Sequence, residues 1–154
     1  MQRKEFAKKR KSRDASKLKV GIAISHFNED ITESMLEGAL TVLREWRVPK
    51  KHIHIARVHG SFELPLAVAR LIKKHKADAA VAIGCIIKGE TKHDEYIAHA
   101  VVHGLMRVAL DTGIPVGLGV LTTNTLGQAR KRSKGTTNHG AAAAIAAIEA
   151  AFPA

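Results

Sequence analysis

The chain contains one cysteine, Cys85, among 154 residues. No disulfide can form within it, and a reducing, cytoplasmic setting is expected. Aromatic side chains are sparse, at 4% of the sequence. The basic N-terminal segment has none beyond Phe6, so base stacking by it is poorly supported. No stretch approaches eighteen consecutive apolar residues, so no membrane-spanning helix is expected. The first seventeen residues carry charge without an apolar segment, so no secretory signal is expected either. Two phosphate-binding signatures are missing as well. There is no Gly-x-x-x-x-Gly-Lys-Ser/Thr, and no Gly-x-Gly-x-x-Gly follows the first apolar run. Neither a P-loop nor a Rossmann dinucleotide site is expected.

Acidic residues number 14 against 25 Lys and Arg, which leaves a charge of +11 with His neutral. Residues 1–17 hold eight basic and two acidic side chains, a net of +6. Such a segment repels itself and buries little. Residues 1–16 are therefore expected to form a mobile basic tail, and 17–154 a single domain. The tail's charge would attract a polyanion such as nucleic acid; a solvated terminus is the plainer reading. Apolar residues make up 45%, enough for one ordinary core in a chain of this length.

Strands are expected at residues 18–24, an apolar, β-branched run, at about 52–58 beyond Pro49, and at 78–86 and 115–121. The third is apolar throughout, as a central strand covered on both faces must be. Helical periodicity fills the intervals. Asp30 with Glu33 three residues on predicts a capping box. Leu36, Ala39, Leu40 and Leu43 then share one face, and that helix ends near Trp46. Glu63 and Pro65 open a second helix, to about Lys76. A third runs from His93 or Asp94 to about Thr112, with Ile97, Val101, Gly104, Leu105 and Val108 on one face and Gly113 as its stop. Residues 122–124 cap a short helix over 126–132. The last helix sets Ala141, Ile145, Ile148 and Phe152 on one stripe. This alternation predicts an α/β three-layer sandwich, a four-stranded parallel sheet with helices on both faces. Ligands in such folds sit beyond the carboxyl ends of the strands. Function is expected on the loops that start at Ser25, His59, Ile87 and Thr122.

Those loops carry chemistry that has a plainer reading in each case. Gly89-Glu90-Thr91 precedes a helix N-terminus, where free N–H groups and the dipole favour an anion; Thr91 as a simple cap explains the same residues. Arg130, Lys131, Arg132 and Lys134 carry no acid among them. A guanidinium there can clasp a phosphate, or the loop is merely solvated. His93 at a helix start suits proton transfer near neutral pH; a helix-end histidine without a role is the alternative. Phe27 and Phe62 fall at strand ends, where a ring stacks on a flat heterocycle or packs in the core. Glu63 can accept from ring N–H groups or complement its own helix. His99 with His103, and His52 with His54, have spacings that pinch a metal, but no Cys or acid completes either set, and no metal is expected. Cys85, inside an apolar strand end, reads as inert packing rather than a nucleophile.

Taken together the loops resemble one family. The carriers are Ser25-His26-Phe27-Asn28 with Ile31-Thr32-Glu33, then His59-Gly60-Ser61-Phe62-Glu63-Leu64-Pro65, then Gly84-Cys85-Ile86-Ile87-Lys88-Gly89-Glu90-Thr91-Lys92-His93. Gly119-Val120-Leu121-Thr122-Thr123 and Asn138-His139-Gly140 complete them. In order and register they are similar to the signatures of the 6,7-dimethyl-8-ribityllumazine synthases, enzymes of riboflavin biosynthesis with a flavodoxin-like fold. The likeness covers about residues 18–152. Any one motif is weak; five in register are specific.

The resemblance implies a condensation without cofactor or metal. Its substrates are 5-amino-6-(D-ribitylamino)uracil and 3,4-dihydroxy-2-butanone 4-phosphate. It implies that Phe27 stacks on the pyrimidine and that Ser61, Phe62 and Glu63 hold the ring and the ribityl chain. Cys85, Ile86 and Ile87 line the same site, and Leu118 matches an apolar ligand-contacting position that is often Phe. Glu90, Thr91 and Arg132 bind the phosphate-bearing substrate, and His93 transfers protons. It further implies a homo-oligomer, a pentamer with sites between neighbours. Leu118 and the Arg132 loop come from one chain and the remaining groups from the other. Stacked pentamers, an icosahedral shell and association with riboflavin synthase belong to the same implication. The sequence departs from the family at His59, usually Pro, at His139, commonly Lys, and in a basic loop one residue shorter. The alternative from a different class is a non-catalytic shell protein of this fold whose basic tail binds a polyanion. A flavin carrier on the fold is disfavoured by the scarce aromatics and the position of the phosphate loop.

Overall fold

Successive side chains of a strand leave its two faces in turn, and in the inner strands here both sets are apolar. The computed structural model describes residues 12–153. Its strands are β1 (Val20–Ser25), β2 (Ile53–Val58), β3 (Ala79–Ile87) and β4 (Val116–Thr123). Between and after them run α1 (Glu29–Glu45), α2 (Leu64–His75), α3 (His93–Thr112), α4 (Leu126–Arg132) and α5 (His139–Ala151). Short 3-10 turns occupy Lys50–His52, Ser61–Glu63 and Gly135–Thr137. The strands form one parallel sheet in the order β2-β1-β3-β4. Val20 stands opposite both Ile53 and Ala79, and Ala80 opposite Val116.

Val20, Ile22 and Ile24 of β1 join Val81, Ile83 and Cys85 of β3 on one face. Leu36, Leu43 and Trp46 cover them from the α1 side, with Ala144, Ala147 and Ile148 of α5. Ala23, Ala80 and Ala82 lie on the other face, under Leu64, Val68 and Leu71 of α2 and Val101 and Leu105 of α3. The expected three layers are thus present. Small residues on the second face leave room for the larger side chains of α2. Among the described residues no helix is long and apolar enough to cross a membrane.

The helix ends differ from expectation in instructive ways. The N-cap of α1 is Asn28, in the left-handed conformation with φ 59°, and not Asp30. Asn tolerates that region better than most residues. Asp30 sits in the first helical turn, and Glu33 pairs with Arg57 of β2 rather than closing a capping box. The cap of α4 is Thr125, whose hydroxyl accepts from the Gln128 N–H at 3.1 Å, and not residues 122–124. The buried stripe of α5 runs through Gly140, Ala143, Ala144, Ala147 and Ile148. Ala141, Ile145 and Phe152 only flank it. Backbone proximity explains the rotation. A Cβ on Gly117 of β4 would come within 2.2 Å of the Ala143 carbonyl oxygen, so the smallest side chains must face the sheet.

Residues 1–11 of the expected basic tail lie outside the described residues. Its last part lies against the domain. Ala15 is buried, and its N–H donates to the Trp46 carbonyl at 2.8 Å. The Arg13 guanidinium lies 4.0 Å from the centroid of the Phe152 ring, a cation–π contact.

His54 of β2 does not pair with His52 around a metal. Its ring stacks on that of His75 from α2, with centroids 3.8 Å apart and planes within 9°. Loss of water around His75, with the charges of His54 and Lys74, holds its imidazole below the ordinary value of 6.5. The folded protein therefore resists a proton that the unfolded chain accepts. That stabilisation is complete above about pH 6.5 and is lost as the pH falls below it. The urea midpoint should fall between pH 7.5 and 5.5 more steeply for the unaltered protein than for His75→Gln. Equal slopes would contradict the linkage.

Candidate active site

The carboxyl ends of β1, β2 and β3 open on a cleft of about 870 Å³. Phe27 and Asn28 line it after β1, and residues 59–63 after β2. Cys85, Ile86 and Ile87 line it at the end of β3, followed by Gly89, Thr91, His93 and Asp94. Tyr96, Ile97 and Ala100 extend the wall along α3. Phe27 is 65% exposed and Phe62 62%. Core packing does not account for rings so open to solvent, whereas contact with a ligand in the cleft would.

Backbone and amide hydrogen bonds hold these loops together. The His26 N–H donates to the Val58 carbonyl at 2.8 Å and the Phe27 N–H to the His59 carbonyl at 3.1 Å. These bonds carry the β1–β2 pairing past the sheet edge into the cleft wall. The Asn28 amide then donates to the Cys85 carbonyl at 3.0 Å and ties the first loop to β3. In the second loop the Glu63 carboxylate accepts from the Gly60 N–H at 2.9 Å. In the third the Gly89 N–H donates to Asp94 at 3.4 Å, and the Lys88 N–H to the Thr123 carbonyl at 2.8 Å. The His93 N–H donates to the Thr91 hydroxyl at 3.3 Å. Thr91 thus accepts from its own helix start and keeps its hydroxyl proton for donation. His93 is the first residue of α3, with an exposed side chain on the cleft wall.

Cys85 is buried. Burial, together with the negative charge of Asp30, pushes its thiol up to about 11. Near neutral pH it is a protonated, soft apolar wall and no nucleophile.

The structure does not bring every expected residue to this cleft. Glu90 is exposed on the third loop and outside the lining. Leu118 lies on the edge strand β4 and is 51% exposed. Arg132 ends α4, and its guanidinium donates to the Gln128 carbonyl of its own helix at 3.1 Å. The loop after β4, expected to carry function but not to close a pocket within one chain, supplies none of the described lining. Residue reasoning in turn missed Asn28, Asp94 and Tyr96 as wall residues. Tyr96 carried a readable signal, as the single tyrosine three residues after His93. His99 and His103 meet edge to face at 6.5 Å. Among the described residues no group of three or more His, Cys, Asp or Glu is arranged to hold a metal.

The thiol gives a direct check. In native protein at pH 8, iodoacetamide should modify Cys85 at least ~10-fold more slowly than in urea-unfolded protein, because the thiolate is scarce and buried. Comparable rates would contradict the raised value.

Comparison with known sequences gives the family. The sequence model described as 6,7-dimethyl-8-ribityllumazine synthase matches residues 17–153. A 6,7-dimethyl-8-ribityllumazine synthase of Porphyromonas gingivalis is 41% identical over 135 residues, which cover 87% of this chain and 84% of that protein. The match spans every strand and loop that builds the cleft, and the chain belongs to the 6,7-dimethyl-8-ribityllumazine synthase family.

Proposed function

We propose that the protein condenses 5-amino-6-(D-ribitylamino)uracil with 3,4-dihydroxy-2-butanone 4-phosphate to 6,7-dimethyl-8-ribityllumazine, releasing inorganic phosphate and two waters. The observation that carries this is the convergence of two exposed rings, His93 and Thr91 on one cleft. Its size suits a heterocycle with a polyol chain beside a small phosphorylated ketone.

The chemistry is proton movement between two well-oriented substrates. The amino nitrogen of the pyrimidine bonds to the ketone carbon, and loss of water gives a Schiff base. A proton leaves the neighbouring hydroxyl-bearing carbon, the C–O bond to phosphate breaks, and the resulting enol becomes a ketone. The ribitylamino nitrogen attacks that ketone, and loss of the second water closes the ring. His93, on the cleft wall at the start of α3, takes up and returns these protons. Phe27 stacks on the pyrimidine, and Ser61, Phe62 and Glu63 hold the ring and the ribityl chain. Cys85, Ile86 and Ile87 form the apolar floor. Thr91 and the N-terminal end of α3 receive the phosphate, and Glu90 on the same loop contacts the body of the phosphate-bearing substrate.

Arg132 and Leu118 complete this arrangement from a neighbouring copy, which explains why they lie outside the chain's own cleft. A head-to-tail contact that closes into a ring delivers one chain's β4 edge to the next chain's loops. Exposed apolar side chains support such a contact: Met106 and Leu110 on α3, and Leu118 on β4. The ring is a pentamer, the unit from which stacked pentamers and icosahedral shells are built. A cytoplasmic setting suits the single cysteine.

Mixing both substrates with the protein should raise lumazine absorbance above the uncatalysed rate; no excess rate would sink the activity. His93→Ala should lose ~10²- to 10⁴-fold in kcat, and unchanged turnover would remove His93 from the mechanism. The native mass should be that of a pentamer or a multiple of one. A monomer would contradict the shared site.

A further inference from the structure

The geometry points to Asn138 as a positioning residue that sets how firmly Arg132 holds the phosphate-bearing substrate. This rests on the function proposed above and extends it to a residue outside the cleft. Asn138 lies in the turn between α4 and α5 and is buried. Its amide is used to full capacity. Oδ1 accepts from the N–H groups of Gly140 at 2.9 Å and Ala141 at 3.1 Å, which caps α5. Nδ2 donates to the Ser34 carbonyl on α1 at 3.0 Å and to the Ser133 carbonyl at 2.8 Å. The Ser34 hydroxyl donates to the same Ser133 carbonyl at 2.7 Å. A cap needs only the acceptor. The two donations do something else: they fasten the chain immediately after Arg132 to α1.

Sequence choices around this point agree. Ser133 is fully buried, although its neighbours Arg132 and Lys134 are exposed. Gly38 of α1 leaves the space that the amide fills, because a Cβ there would stand 2.4 Å from it. Arg130 reaches Asp30, in the first turn of α1, at 3.8 Å. The helix so gripped is the one whose N-terminus begins at the Phe27-Asn28 turn. The clamp makes Phe27 and Arg132 parts of one rigid unit. In the ring, Phe27 serves its own cleft and Arg132 the neighbour's. Asn138 therefore controls the reach of each arginine into the adjoining site. Arg132 itself is exposed at the end of a seven-residue helix that Ala129 anchors in the core and the Thr137 hydroxyl holds through the Lys131 carbonyl at 2.6 Å.

Asn138→Asp keeps the acceptor that caps α5 and removes both donors. The KM for the butanone phosphate should rise about tenfold, with the KM for the pyrimidine and kcat within about threefold, the pattern of lost ground-state binding at one subsite. Inhibition by inorganic phosphate should weaken in parallel. In an Arg132→Ala background the same change should add nothing, because the effect passes through the guanidinium. An unchanged KM in folded Asn138→Asp, or a full further rise on top of Arg132→Ala, would overturn the assignment. If Asn138→Asp does not fold, Ser34→Ala decides: it removes one donor to Ser133, and the same KM should rise about threefold, while no change would overturn the proposal. If the unaltered protein makes no lumazine, the proposed function has failed by itself. Calorimetric titration with inorganic phosphate then settles the clamp, since weaker binding by Asn138→Asp supports it and equal binding overturns it.

Discussion

Two strands with apolar side chains on both faces determine the rest of the molecule. β1 and β3 lie side by side at the centre of the sheet, and every residue of β1 is buried. Neither face can meet water, so helices must cover both. Each crossover then returns to the same end of the sheet, and all four strands point their carboxyl ends at one edge. The loops there have no freedom to scatter. Hydrogen bonds from His26 and Phe27 to the β2 end, and from Asn28 to Cys85, join them into one wall. The polar residues at that edge are gathered by burial of hydrocarbon far beneath them.

The same constraint leaves the cleft incomplete. β4 is an edge strand on the far side of β3 from β1. The groups it carries, Leu118 and the α4 turn with Arg132, lie outside the lining of the chain's own cleft. In the proposed ring, a second copy brings that edge to a cleft. The exposed Met106 and Leu110 on α3, which packs beside β4, fit such a contact. Assembly and chemistry then become one problem, and the connection of the α4 turn to α1 carries unusual weight.

β1 and β3 were legible in the sequence because a strand buried on both faces is an unbroken apolar run. All four strands lie within two residues of their expected ends. The helix starts were less legible. Asp30-x-x-Glu33 is a good capping pattern, but Glu33 is taken by Arg57 across the α1–β2 packing, a contact no local rule reveals. Asn28 caps through a left-handed backbone, invisible in composition. The α5 stripe was misplaced by favouring Ile145 and Phe152 over alanine. Close approach at Gly117 rewards small residues, which hydrophobicity ranks low. At the candidate site, Phe27, Phe62 and His93 could be singled out from type and position. Asn28 and Asp94 could not, since they act through backbone bonds formed only after the loops meet.

The central claim is that each cleft draws His93 from one copy and Arg132 from the next. Subunit mixing tests it directly. His93→Ala protein, poor in turnover, and Arg132→Ala protein, poor in binding the butanone phosphate, are unfolded together in equal amounts, reassembled and assayed with that substrate well below its KM. Random assembly around a head-to-tail ring leaves ~25% of the clefts with both side chains intact. The account predicts recovery of about that fraction of the unaltered activity. Reassembled mixtures no more active than the two separate variants would contradict it.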